Sequence, residues 1–359
     1  MRLNLFINPA GIEGYSTHGI EMLRAMGALG WDMACIPDFQ SPGFCKDAAV
    51  VEALRRGLKP RGTCPGLKIN LALPHRVATF SGSPRIFFTV SEVSRLPPDW
   101  VEALNSVDEV WTASEWGRKV FQESGVQRPI RIVPEGVDAA VFRPELASER
   151  ERTVYRFLAV GKLEERKNYG GLLRAYCEEF EPDEGVELIV HFGLPADAYK
   201  FFFNLNLGRR HAPIRFSPTV STKDQMASLY AEADAFVLPT RGEGWGLPVM
   251  EAMACGLPVI ATRIGPIGEY ATSQTACLLD YELVQARSDP VYGNHFKWGC
   301  WAEPNLNQLR KFMRELYENP AKGQEIGRRA AEDVRSQWTW TNAARKAQTA
   351  LQEAGVGLT

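Results

Sequence analysis

The chain has 359 residues, 45% of them apolar and 23% charged, an ordinary globular composition that excludes disordered, fibrous and collagen-like chains. At about 150 residues per domain, this length favours two domains over one. With 41 basic and 43 acidic residues the formal charge is −2, so no global field draws the molecule to nucleic acid or membrane; the seven cysteines, odd in number and never Cys-x-x-Cys, argue against a disulfide framework and a zinc site.

Met1 to Ile7 enter strand-like sequence without an apolar leader, and no apolar run approaches the ~18 residues of a membrane span, which predicts a cytoplasmic protein with reduced thiols. A strand from Leu3 to Ile7, a glycine-bearing loop (Gly11-Ile12-Glu13-Gly14-Tyr15-Ser16) and a helix from Thr17 to Leu29 form the opening of a nucleotide-binding sheet. Strands are then predicted at Met33 to Ile36, Ile69 to Leu73, Arg85 to Val90, Glu109 to Thr112 and Ile130 to Val133, with helices between several of them. Such alternation implies a parallel sheet covered on both faces.

The polar stretch from Arg143 to Arg152 lacks apolar periodicity and reads as a linker. The pattern restarts with a strand from Tyr155 to Val160, Gly161, a basic loop and a helix from Tyr169 to Phe180. Later strands are predicted at Val186 to Phe192, Ile214 to Phe216, Ala235 to Leu238 and Val259 to Ala261, followed by a helix from Asn305 to Asn319. The expected domains are therefore 1–145 and 153–338, with 339–359 a last helix, from about Thr341 to Glu353, packing back on the first.

The segment richest in chemistry is Pro239 to Ala261, which leaves a strand, passes Gly242, Gly244 and Gly246, and enters a short helix. Pro248 falls near the first helical position, where a missing N–H costs nothing; Gly256 suits a left-handed C-terminal cap and Pro258 prevents continuation. The helix end carries unpaired N–H groups and partial positive charge, which suit a diphosphate, with Gly246 and Leu247 as donors. Glu251 is placed in the first turn, leaning back toward the same ligand, and Glu243 on the loop at its other side. Each carboxylate can accept from a hydroxyl pair, one on a ribose and one on a sugar. The alternative is that Glu251 merely favours the positive helix end and Glu243 is a solvated loop acid.

The run Glu243-Gly244-Trp245-Gly246-Leu247-Pro248-Val249-Met250-Glu251-Ala252-Met253-Ala254-Cys255-Gly256-Leu257-Pro258-Val259 resembles the signature of retaining, GT-B-fold glycosyltransferases of family 4. The resemblance extends to the Gly11 to Ser16 loop, to Thr112-Ala113-Ser114-Glu115-Trp116 and Val133-Pro134-Glu135-Gly136-Val137-Asp138, to Gly161-Lys162-Leu163-Glu164-Glu165-Arg166-Lys167-Asn168, and to Gly265 to Glu269. It implies an α/β, GT-B fold of two facing Rossmann-like domains with a catalytic cleft between them. It also implies a hexosyltransferase using a nucleotide diphosphate sugar, a UDP-sugar being the expected co-substrate, with acceptors that are glycans or lipid-linked. Catalytic roles fall on Glu243, Lys162, Lys167 and a first-domain residue, Glu92 or His75, of which Glu92 is preferred by its position after a strand. Donor contacts fall on Gly14, Gly161, Arg166, Gly246, Leu247 and Glu251.

Two positions depart from the family pattern: Lys162 stands for the usual Arg, losing the bidentate fork, and Asn168 for the usual Gly. The leaving diphosphate needs its charge stabilised by a metal or by fixed cations and dipoles. No Asp-x-Asp occurs; Lys162, Lys167 and Arg166 with the helix end at Gly246 supply the metal-free route, so no cofactor is expected. The alternative for Arg166 and Lys167 is a solvated turn.

No acidic residue lies between Glu52 and Glu92, where Arg55, Arg56, Lys59, Arg61, Lys68, Arg76 and Arg85 fall together with His75. Arg55, Arg56, Arg61 and His75 are accordingly candidates for an anionic acceptor, a phosphorylated glycan carrier or DNA bearing a hydroxymethylated base. The opposing reading pairs these cations with acids elsewhere in the fold. A nicotinamide dehydrogenase is disfavoured because Gly11 to Gly14 does not form Gly-x-Gly-x-x-Gly, and a nucleotide-sugar-binding protein without turnover differs only in activity.

Overall fold

The structure is a computed structural model and describes residues 2–8, 14–37, 64–70, 74–144, 153–192, 210–288 and 293–355. The chain divides into two compact units, Met1–Gly136 with Trp338–Thr359, and Val137–Gln337.

In the first unit the described elements are β1 (Arg2–Ile7), α1 (Gly14–Ala28), β2 (Asp32–Pro37), β3 (Gly66–Ile69), α2 (Pro74–Val77), β4 (Arg85–Phe88), α3 (Pro98–Asn105), β5 (Glu109–Thr112), α4 (Glu115–Ser124) and β6 (Ile130–Ile132). The strands pair in parallel in the order β2-β1-β3-β4-β5-β6. Phe87, Trp100, Leu104, Val110 and Phe121 fill the space between sheet and helices. The third strand lies earlier than expected from Ile69 to Leu73, at Gly66–Ile69, and residues 71–73 fall outside the described residues. Gly66 can enter the strand because it has no side chain: a Cβ there would sit 2.1 Å from the Ser81 carbonyl oxygen. The Thr112 to Trp116 motif is a strand end and a helix start, since the Ser114 hydroxyl accepts from the Gly117 N–H and caps α4.

The second unit runs β7 (Tyr155–Val160), a 3-10 turn at Glu165–Lys167, α5 (Tyr169–Glu179), β8 (Val186–His191), β9 (Ile214–Phe216), α6 (Lys223–Ala231), β10 (Ala235–Leu238), α7 (Leu247–Ala254), β11 (Val259–Thr262), α8 (Ile267–Tyr270), β12 (Cys277–Leu279), β13 (Tyr281–Gln285), a 3-10 turn at His295–Trp298, β14 (Cys300–Pro304), α9 (Leu306–Glu318) and α10 (Pro320–Gln337). Its main sheet is parallel, in the order β12-β11-β10-β7-β8-β9, and β13 and β14 form a separate antiparallel ribbon. The chain therefore moves from β7 outward to β8 and β9, then returns to place β10 on the other flank of β7. That reversal makes the carboxyl ends of β7 and β10 the switch point, where two diverging loops leave a crevice.

The last helix, α11 (Trp340–Glu353), packs on α1 in the first unit and buries Trp340, Ala343, Ala344, Ala347 and Leu351. Thr339 caps it, accepting from the Asn342 N–H.

Candidate active site

The loops after β7 and β10 meet at the switch point of the second unit. Arg166 and Lys167, on the 3-10 turn, are 3% and 6% exposed, so they are not a solvated turn. Lys167 Nζ donates to Glu243 Oε1 at 2.7 Å. Arg166 donates through Nη1 to the Gly242 carbonyl at 2.5 Å and through Nη2 to Glu164 Oε2 at 2.6 Å, and its Nη1 stands 3.4 Å from Glu243 Oε1. Glu243 is likewise buried, which overturns its alternative as a solvated loop acid. Burial alone would raise its carboxyl, but the Lys167 and Arg166 charges, with hydrogen bonds from Lys167 and Thr240, outweigh that and hold it below the usual carboxylate range. Lys162, by contrast, is exposed.

Asn168, the departure from glycine, explains itself in this turn. It adopts φ 56°, the left-handed region that asparagine tolerates better than most residues, and its side chain accepts from the Gly171 N–H to cap α5. Gly161 keeps the turn close, since a Cβ there would lie 3.0 Å from the Tyr169 hydroxyl and 3.5 Å from the Lys167 stem.

Opposite, Gly246 opens α7 at φ 92°, and Val249 and Met250 donate to its carbonyl, which leaves the Gly246 and Leu247 N–H groups outside the helical ladder. The Tyr270 hydroxyl donates to the Trp245 and Gly246 carbonyls, at 3.2 and 3.3 Å, and fixes the loop from behind. Gly256 follows the helix at φ 79°, the left-handed cap expected of it. Glu251 is not in the first turn, as expected, but one residue beyond it, because α7 begins at Leu247. Its carboxylate accepts from the Tyr230 hydroxyl at 2.9 Å, and burial pushes the carboxyl up to about 7 against the lowering effects of Tyr230 and Lys223. Glu269 is exposed on α8.

In the first unit Gly14 starts α1 and is exposed, while Gly11, Ile12 and Glu13 lie outside the described residues. Glu92 lies on a bend beyond β4, close enough to raise the Tyr15 hydroxyl pKa, although burial is the larger cause. Tyr15 reaches Thr89 Oγ1 at 3.3 Å. His75 is exposed on α2. Sequence reading missed the pairing of His18, on α1, with Glu135, whose atoms stand 3.2 Å apart with both side chains buried. The available signal was the three-residue spacing of Tyr15 and His18, which shares a helix face.

The basic stretch is largely accounted for where it is described. Lys68 is fully buried and donates to Thr79 Oγ1 at 2.8 Å, Arg76 donates to Asn70, and Arg85 donates to the Val77 carbonyl with its guanidinium 4.8 Å from the Phe80 ring centre. Arg55, Arg56, Lys59 and Arg61 lie outside the described residues.

Residues 154–289 match the family model described as glycosyl transferases group 1. That match lies wholly within the second unit. A D-inositol 3-phosphate glycosyltransferase of Pseudarthrobacter chlorophenolicus is 27% identical over 249 residues, 65% of this chain and 52% of the relative. O-antigen chain mannosyltransferase B of Escherichia coli is 35% identical over 118 residues, 31% of this chain and 29% of the relative. The chain thus spans about half, or less, of the length of these curated relatives. Among solved structures, sucrose-phosphate synthase from Thermosynechococcus elongatus superposes with a TM-score of 0.73 at 17% identity, covering 99% of both chains. Anabaena HepE in complex with UDP-glucose does so with a TM-score of 0.70 at 14% identity, covering 98% of this chain and 100% of that one. The fold is α/β of the GT-B class, built from two Rossmann-like units.

Proposed function

We propose that this chain is a retaining, metal-independent glycosyltransferase that moves a hexosyl group from a UDP-sugar to an acceptor hydroxyl. The observation that carries the reading is the buried cluster of Lys167, Arg166 and Glu243 at the switch point, beside the N-terminus of α7. A diphosphate arriving there meets the N–H groups of Gly246 and Leu247 and can share the Lys167 ammonium with Glu243. Family resemblance adds Lys162, exposed on the same loop, as a further cation for the phosphate oxygens. In the reaction the bond from the sugar's anomeric carbon to the phosphate oxygen breaks, a bond from that carbon to the acceptor oxygen forms on the same face, and the acceptor proton passes to the leaving phosphate. Fixed cations offset the charge left on the diphosphate. Glu251 accepts from the ribose hydroxyls and Glu243 from the sugar, with Gly161 at the edge of the site.

The relatives' names point to a phosphorylated polyol and a glycan chain as acceptors, which supports a glycan or lipid-linked acceptor here. A hydroxymethylated DNA base now rests on Arg55, Arg56 and Arg61, because Lys68, Arg76 and Arg85 are committed inside their unit. A thermal-shift screen of nucleotides and nucleotide sugars, followed by a donor-hydrolysis assay in excess chelator, tests the proposal. Stabilisation by UDP and UDP-sugars with slow, chelator-resistant hydrolysis is expected. Stabilisation without hydrolysis or transfer would leave a binding protein, and stabilisation by NAD alone would overturn the assignment.

A further inference from the structure

The loops that carry Lys167 and Glu243 are joined by a second set of contacts, centred on Arg241, whose side chain is 13% exposed. Its Nε donates to Glu303 Oε2 at 2.7 Å and its Nη2 to Glu303 Oε1 at 3.0 Å, the fork in which a guanidinium matches a carboxylate. Nη1 turns to the other side and donates to the Glu165 carbonyl at 2.7 Å and to Glu165 Oε1 at 3.2 Å. The backbone repeats the pattern. The Arg241 N–H donates to the Arg166 carbonyl at 2.7 Å, and the Arg241 carbonyl accepts from the Ala302 N–H at 2.8 Å. One residue thus ties the Glu165–Lys167 turn to β14.

The ribbon reaches the same turn once more, since Arg287, just past β13, stands 3.3 Å from Glu165 Oε1. Trp301 anchors β14: it is buried and packs on Phe296 with ring centres 5.7 Å apart. The family match ends at residue 289, so Glu303 lies beyond it. The residues that follow Arg241 make the tie matter to the site. Gly242 accepts from Arg166 at 2.5 Å and Glu243 from Lys167 at 2.7 Å, so any shift of Arg241 moves both acceptors. A diphosphate that shares the Lys167 ammonium pulls the turn away from Glu243. Cations held in place before the ligand arrives need no reordering when it binds.

On the reading that Arg166 and Lys167 hold the donor diphosphate, we propose that Arg241 is a positioning residue for that site. Held by Glu303, it keeps the turn bearing both cations in register with the Gly242-Glu243 loop, which makes the β13–β14 ribbon part of the donor site. Lysine cannot do the same, because an ammonium lacks the planar fork that grips Glu303 through two bonds while reaching Glu165.

Calorimetric titration of the full chain with UDP, with donor kinetics alongside and below each variant's melting transition, tests this. Arg241→Met should weaken UDP about 10-fold and Glu303→Gln about 3-fold, the scale on which residues one step from a ligand act. Donor KM should rise with the loss of affinity, whereas loss of folded protein alone lowers apparent kcat and leaves KM and affinity untouched. Arg241→Lys should recover only part of the affinity. Either change should cost less in a Lys167→Ala background than in the wild type, because its effect passes through Lys167. The milder Glu303→Gln, at a carboxylate 33% exposed, carries the same comparison if Arg241→Met does not fold. Arg310→Met, which breaks a pair with Glu179 between α9 and α5, should leave UDP affinity unchanged. Unchanged affinity in the Arg241 and Glu303 variants, or full additivity with Lys167→Ala, overturns the proposal alone. A wild type that does not bind UDP, or a Lys167→Ala variant that binds it equally well, overturns the donor reading and the proposal with it.

Discussion

Lys167 and Glu243 are buried together at 2.7 Å, and each has a reason to be there that the other supplies. Removing one partner leaves a charge in low dielectric, so Lys167→Ala should destabilise the second unit by about 3 kcal/mol, Arg166 covering part of the loss. Turnover should fall by at least ~10-fold beyond any unfolding, as a preorganised anion-stabilising group is lost. Kinetics measured below the melting transition separate the two. Glu251→Ala should weaken UDP and UDP-sugar alike, whereas Glu243→Ala should leave UDP affinity nearly intact and lower turnover. Equal loss of UDP affinity in both variants would refute that division.

The two carboxyls also titrate in opposite senses. Glu243 is held below its ordinary value, so its contribution to stability is present above the unfolded value of 4.5 and is lost as pH falls through the lower folded value. Glu251 is raised to about 7, so the folded state keeps a proton the unfolded state has released, and that part of the stability is lost as pH rises from 4.5 to about 7. Since the ionised carboxylate is the better acceptor for ribose hydroxyls, UDP affinity should rise from about pH 6 to about pH 8 and flatten in Glu251→Gln. Calorimetric titration of both proteins across that range checks the sign.

Two short elements hold the crevice open, and each turns on one left-handed residue. Asn168 both tolerates φ 56° and caps α5, so Asn168→Gly should change stability by a few tenths of a kcal/mol, while Asn168→Ala loses the cap and strains the turn, costing about 1–2 kcal/mol. Denaturant midpoints should rank Asn and Gly above Ala. At Gly246 the backbone φ is 92° and a Cβ would meet the Tyr270 hydroxyl at 2.9 Å. Gly246→Ala should therefore displace the α7 N-terminus and weaken UDP binding at least ~10-fold, the scale of losing one well-placed anion donor. Adding Tyr270→Phe should recover only the steric part, because φ remains positive.

Across the molecule, the first unit is completed by the chain's last helix. Trp340 and Leu351 are buried where α11 meets α1, and each contributes about 1.5–3 kcal/mol by its burial. A protein ending before Trp338 should lose the cooperative unfolding of its first unit, yet its second unit should retain a transition that UDP shifts upward. Differential scanning calorimetry with and without UDP reads both, and a single lost transition for the whole chain would show that the units do not unfold separately.

The sequence by itself determined the parallel α/β alternation, the helix punctuation at Pro248 and Gly256, and the glycosyl transferase resemblance. These rest on local rules, side-chain period and backbone freedom, that act within a few residues. It did not reveal the β13–β14 ribbon, whose two strands pair across a long connection, nor the Gly66 start of β3, which depends on the Ser81 backbone 15 residues away. Tertiary structure alone decided that Glu243 finds Lys167 across 76 residues, that Tyr230 meets Glu251, and that Lys68 and Arg85 turn inward. Charge in a sequence has no direction, and a cation becomes a ligand for phosphate or a buried partner only when the fold sets which carboxylate, ring or carbonyl stands within about 3 Å of it.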